Sequence, residues 1–106
     1  MALKIILFFL IFAFSLESAP TNCKTCYGHF LLFHELNTEE EKIENLKEFC
    51  SHTEWFYYTF PFEYGLLDWV KKDGITNVVA ELNQCTDKPC IKELCSRLSG
   101  MSCNYI

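Results

Sequence analysis

Seven cysteines are the residues in this chain whose type and spacing could do chemistry. Cys23 and Cys26 form a Cys-x-x-Cys pair, Cys85, Cys90, Cys95 and Cys103 cluster near the other end, and Cys50 stands apart in the middle. Three chemistries use such residues. Thiol–disulfide exchange places Cys-x-x-Cys in a strand–helix–strand unit, and no such unit surrounds Cys23. A zinc site built on Cys85, Cys90, Cys95 and a histidine would use spacings looser than is usual for zinc ligands, with oxidation competing for the thiols. Structural disulfides are left, and the first residues of the chain support them.

Residues 1–19 carry Lys4, an apolar run from Ile5 to Phe14, and then small residues, with Ala13 and Ser15 or Ser18 and Ala19 offering the exit. This reads as a secretory signal peptide. A bilayer span needs about 20 apolar residues, more than this run supplies. Secretion, to the outside or to the lumen of an acidic compartment, places the cysteines where disulfides persist. Their odd number leaves one over.

The remainder of the chain, residues 20–106, is short enough for one domain that depends on covalent help. The net charge is −5 at pH 7; removing residues 1–19 takes away Lys4 and Glu17, one charge of each sign, and leaves it there. No cluster of Lys or Arg is available to displace counterions from phosphates, so nucleic acid is not an expected partner. The same charge weighs against anionic membranes at neutral pH. No serine or cysteine sits in a recognisable nucleophile turn, and the carboxylates of residues 39–48 read as a solvated face. No enzyme, cofactor or metal is expected.

The elements that must position the cysteines are helices. Cys26, Phe30 and Phe33 form one stripe, widened by Leu32 and Leu36, which predicts a first helix over residues 23–36. Gly28 weakens it by about 1 kcal/mol relative to Ala. Thr38 followed by Glu41 is a helix start, and Ile43, Leu46 and either Phe49 or Cys50 form the inner seam of a second helix. Glu39, Lys42, Glu44, Lys47 and Glu48 supply its solvated side. Residues 51–64 hold seven aromatics and Pro61 with no clear helical period. These rings either cap a small core or form an exposed patch at a lipid interface, led by Trp55 and Tyr57.

Residues 65–72 predict a short third helix through Leu66, Leu67, Trp69 and Val70. Ile75, Val78, Val79 and Leu82 predict a fourth after the break at Asp73-Gly74, and Ile91, Leu94, Cys95 and Leu98 a fifth, ended by Gly100. Residues 83–90 read as a loop. Both ends of the secreted chain thus carry two cysteines at near-helical spacing, and the ends are expected to be joined. Cys85 and Cys90 bracket a tight loop and could bond to each other, leaving Cys50 free or available for an intermolecular bond in a homodimer; a bond from Cys50 to either is the competing arrangement.

With Cys23-x-x-Cys26 opening helix one, Thr38-Glu-Glu before helix two, Cys50 closing it, the Leu-Leu-x-Trp-Val run, and a proline ahead of Cys95 with Cys103 last, the chain resembles the saposin-like family. That resemblance implies an all-α, five-helix, disulfide-stapled bundle, with Cys23 paired to Cys103 and Cys26 to Cys95. It also implies a third bridge from helix two to helix three, but Gly65 and Leu66 stand where its second cysteine belongs.

The resemblance implies a secreted protein that binds or perturbs membrane lipids, as an antimicrobial or digestive effector. The expected lipid contacts are Trp55, Phe56, Phe60, Phe62, Trp69 and Val70, with Phe30 and Phe33 lining the interior. His29 and His34, charging below about pH 6, would move the net charge toward zero and strengthen binding to anionic lipid in acid. A soluble carrier of a small hydrophobic ligand, a protein-interaction module, and a lipid-handling hydrolase activator are the alternatives.

Overall fold

Cys23, Cys26, Phe30 and Phe33 recur every three or four residues, so a helix gathers them on one face, and residues 21–35 are helical (α1) with all four buried. The computed structural model describes residues 21–55 and 60–104; the segment expected to be a signal peptide, 1–19, lies outside them. Leu32, expected to widen the α1 stripe, is instead 65% exposed. It lies between Leu31 and Phe33, and each step turns the helix by about 100°, so it cannot share the face that buries Phe33.

Helix α2 spans Glu39–Trp55. Thr38 Oγ1 accepts from the Glu41 N–H at 3.1 Å and Glu41 reaches back to the Asn37 N–H at 3.0 Å, so two orphan donors of the first turn are satisfied. Ile43, Leu46, Phe49 and Cys50 all face the core. Lys42 is only half-exposed: its ammonium lies 5.6 Å from the Phe33 ring centre and donates to Asn83 Oδ1 at 2.7 Å.

The aromatic stretch divides between two helices, its first residues finishing α2 and its last opening α3, Pro61–Asp73. Pro61 belongs to the first turn of α3, where a missing N–H costs nothing and its fixed φ favours the helix. The helix expected from residue 65 therefore begins a turn earlier. Gly74, at φ 87°, ends α3 by donating to the Val70 carbonyl at 2.8 Å and at once precedes α4, Ile75–Asn83. Val78, Val79 and Leu82 of α4 are buried.

Helix α5, Lys88–Ser99, is capped by Asp87, whose carboxylate accepts from the Cys90 N–H at 2.8 Å. Gly100 takes the left-handed conformation that ends it (φ 70°). Ile91, Leu94 and Cys95 are its buried face.

The described chain is thus all-helical, with three disulfides. Cys23–Cys103 and Cys26–Cys95 tie α1 to the segment after α5 and to α5 itself, and Cys85–Cys90 closes the turn between α4 and α5. Cys50 is free. Helix α3 packs most extensively on α5, and α2 packs on α3 and α4. One apolar core runs through all five helices, from Cys23, Phe30 and Phe33 through Leu46, Phe62 and Leu66 to Val78, Leu82 and Ile91.

Candidate functional site

The aromatic rings nearest the α1–α2–α3 junction surround one polar group. His29 lies 4.6 Å from Phe49, 5.3 Å from Phe30 and 6.2 Å from Phe62, centre to centre. Phe62 in turn stacks with Phe60 at 6.3 Å and meets Phe49 at 6.0 Å. Among the described residues His29 Nε2 is buried with no hydrogen-bond partner, and so is the side-chain oxygen of Asn45, one turn before Phe49 on α2. Each of these atoms costs the desolvation of a buried group without a bond in return.

Burial alone pushes the His29 imidazole down from its ordinary 6.5 to about 4; no neighbouring charge contributes. The expectation that His29 charges below about pH 6 is corrected for this closed bundle, since phenyl rings offer an imidazolium no solvation like that of water. His34 is held differently: its Nε2–H donates to the Cys85 carbonyl at 2.8 Å, joining α1 to the turn after α4.

The other expected lipid-facing side chains fall into three groups. Phe30, Phe33, Phe62 and Val70 are core residues. Phe62 and Val70, expected as lipid contacts, are thus buried in the interior of the closed bundle. Phe60 and Trp69 are half-buried at its edge. Phe56, Tyr57 and the side chain of Trp55 lie outside the described residues. Among the described residues, the large apolar side chains that reach solvent are Leu31, Leu32 and Tyr64.

Around the edge, Trp69 donates its Nε1–H to Asp73 Oδ2 at 2.9 Å and carries the Arg97 guanidinium over its ring at 5.2 Å. Burial pushes the Glu63 carboxyl up, against the Phe60 N–H, His52 and Thr53, which favour its charged form. Burial also raises the Cys50 thiol, Glu54 adds to the effect, and Lys71 opposes it. Among the described residues no group of His, Cys, Asp and Glu is arranged to hold a metal ion.

Sequence reasoning missed Asn22. It is fully buried; its Oδ1 accepts from the Phe62 N–H at 3.1 Å and its Nδ2–H donates to Met101 Sδ at 3.4 Å. The α3 N-terminus has no cap from its own neighbour Phe60, so a residue 40 positions away supplies one. An asparagine just before Cys23 could have signalled a capping role, but nothing local indicates which helix it caps. Compared with known proteins, the chain matches no family model, no curated protein and no solved structure.

Proposed function

We propose that this chain is a secreted, saposin-like protein that binds and perturbs membrane lipids by parting its helices, without catalysis. One observation carries the reading: both long-range disulfides hold α1 to α5 and the segment after it, while the cysteine of α2 is unpaired. Helix α2 can therefore leave α1 without any covalent bond breaking. The surface that separation would uncover is apolar: Phe30, Phe33, Phe49 and Phe62, which lipid chains cover as well as protein does. The unsatisfied His29 lies there too, against Phe49 of α2. Protonation of His29 favours the open form, which supports activity that grows in acid.

Dye release and pelleting with liposomes of mixed zwitterionic and anionic lipid, at about pH 5 and about pH 7.4, test the reading. Release and pelleting should increase at the lower pH in the oxidised protein. His29→Phe should keep lipid binding while losing most of that increase. Silence in both assays at both pH values rejects membrane action.

A further inference from the structure

Away from the His29 rings, α3, α4 and α5 enclose a groove of about 860 Å³. Its floor is apolar, made by Leu82 and Leu94, both almost fully buried. Its rim carries exposed charges of both signs: Glu81 from α4, and Glu93 and Arg97 one turn apart on α5, with Trp69 of α3 beside Arg97. Glu93 and Arg97 are one helical turn apart, a spacing that favours an ion pair, yet among the described residues none of the three charged groups is paired. Arg97 lies on the Trp69 ring instead, 5.2 Å from its centre. A guanidinium held over a ring by its charge keeps N–H donors at its edge that can take an anion. The groove therefore offers an anion donor and two carboxylates around an apolar floor.

We propose that this groove binds a zwitterionic phospholipid headgroup, with the phosphate on Arg97 and the ammonium between Glu81 and Glu93, against the Trp69 ring. The lipid class follows from charge: a chain of net charge −5 is repelled by an anionic surface at neutral pH, whereas a headgroup of no net charge is not, and it offers a partner to each sign of charge at the rim. The volume falls within the range of small-molecule sites, roughly 300 to 1,000 Å³, so it admits the headgroup together with the first part of an acyl chain over Leu82 and Leu94. This assignment rests on the reading that the protein handles lipids.

The experiment uses the full oxidised chain with Trp55→Phe, so that Trp69 is the sole tryptophan. Its fluorescence, and pelleting in parallel, are followed at about pH 7 against phosphatidylcholine vesicles, phosphatidylglycerol vesicles and soluble phosphocholine. Phosphatidylcholine vesicles should bind and shift the Trp69 emission, phosphocholine should shift it at higher concentration, and phosphatidylglycerol should bind more weakly. Arg97→Gln, and separately Glu81→Gln with Glu93→Gln, should each weaken phosphatidylcholine binding about tenfold with unchanged helicity. Phosphatidylcholine binding that is equal in wild type and both variants overturns the groove assignment and leaves membrane binding standing. An Arg97-dependent response to phosphocholine with no vesicle bound keeps the groove and overturns membrane action. Equal binding to both vesicle types, or no response of Trp69 to any of the three, overturns the groove.

Discussion

Gly65 of α3 lies directly against the Leu98 backbone of α5: a Cβ added at Gly65 would overlap the Leu98 carbonyl oxygen and stand 2.7 Å from its carbon. The two helices meet there backbone to backbone. No side chain fits at position 65 without moving one of the two helices. Gly65→Ala should therefore force α3 off α5 and destabilise the protein by about 1 to 3 kcal/mol, with Gly65→Cys worse and forming no bond to Cys50. Gly28, whose added Cβ meets nothing within 4 Å, is the control: Gly28→Ala should stabilise by about 0.5 to 1 kcal/mol. Chemical denaturation of the variants reads both signs.

How much of this was legible in the chain itself depends on the range of the interaction. The recurrence of Ile91, Leu94 and Cys95, or of Val78, Val79 and Leu82, is a local pattern that fixes both a helix and its buried face. Gly65 looks like a helix-weakening residue until Leu98 is placed against it. Asn22 looks like a surface residue until α3 arrives over it. The aromatic stretch 51–64 shows no single period because its first described residues finish α2 and its last open α3. The isolated position of His29 among rings is likewise a product of three helices meeting, and its spacing alone suggested an ordinary titrating histidine.

Asn22→Ala should cost about 1 to 3 kcal/mol, the range for leaving a buried N–H unsatisfied. The Phe62 N–H is buried and points at Asn22 Oδ1, so water cannot readily replace the acceptor. Amide exchange at Phe62 should accelerate more than at Val78, which lies in another helix. Equal acceleration at both sites would mean a global loss of stability and no capping role.

Stability should fall on acidification through His29. Its folded value, about 4, lies below the 6.5 of an exposed imidazole, so the unfolded or opened chain binds a proton first. The stabilisation is fully present above about pH 6.5 and is lost as the pH falls toward 4, amounting to about 3 kcal/mol over that interval. Glu63 acts in the other direction, because a carboxyl raised by burial gains its proton earlier in the folded state, and it offsets part of the loss. His29→Phe should remove the fall above about pH 4.5, measured as denaturation midpoints across the range. An unchanged slope in that variant would assign the acid sensitivity elsewhere.

The two end bridges should act as one unit. Cys23–Cys103 and Cys26–Cys95 span 80 and 69 residues, so closing either from the open chain is worth about 4 kcal/mol in the chain-entropy account. Once one has formed, the second closes a ring of only about a dozen residues and adds about 3 kcal/mol. Removing one bridge should thus leave a weakened fold, while removing both should unfold the chain. Removing Cys85–Cys90, with a separation of 5, should cost about 2 kcal/mol. Circular dichroism melts of paired Cys→Ser variants separate the three cases.

Cys50 should remain reduced and the protein monomeric with respect to that thiol. It is half-buried against the core, and burial with Glu54 nearby raises its pKa, so little thiolate is available to attack a disulfide. Lys71, the one neighbour that favours thiolate, is engaged with Glu54 at 3.1 Å. Non-reducing electrophoresis should show a single-chain band, and alkylation of Cys50 should be slower than that of a free thiol at the same pH. Vesicles should then accelerate the alkylation, because the movement of α2 away from α1 and its neighbours that uncovers the aromatic core also uncovers Cys50. Comparing rates with and without vesicles at one fixed pH keeps the intrinsic thiolate fraction out of the comparison. A rate that vesicles leave unchanged, in protein shown to have bound them, would mean that α2 stays closed on the membrane surface.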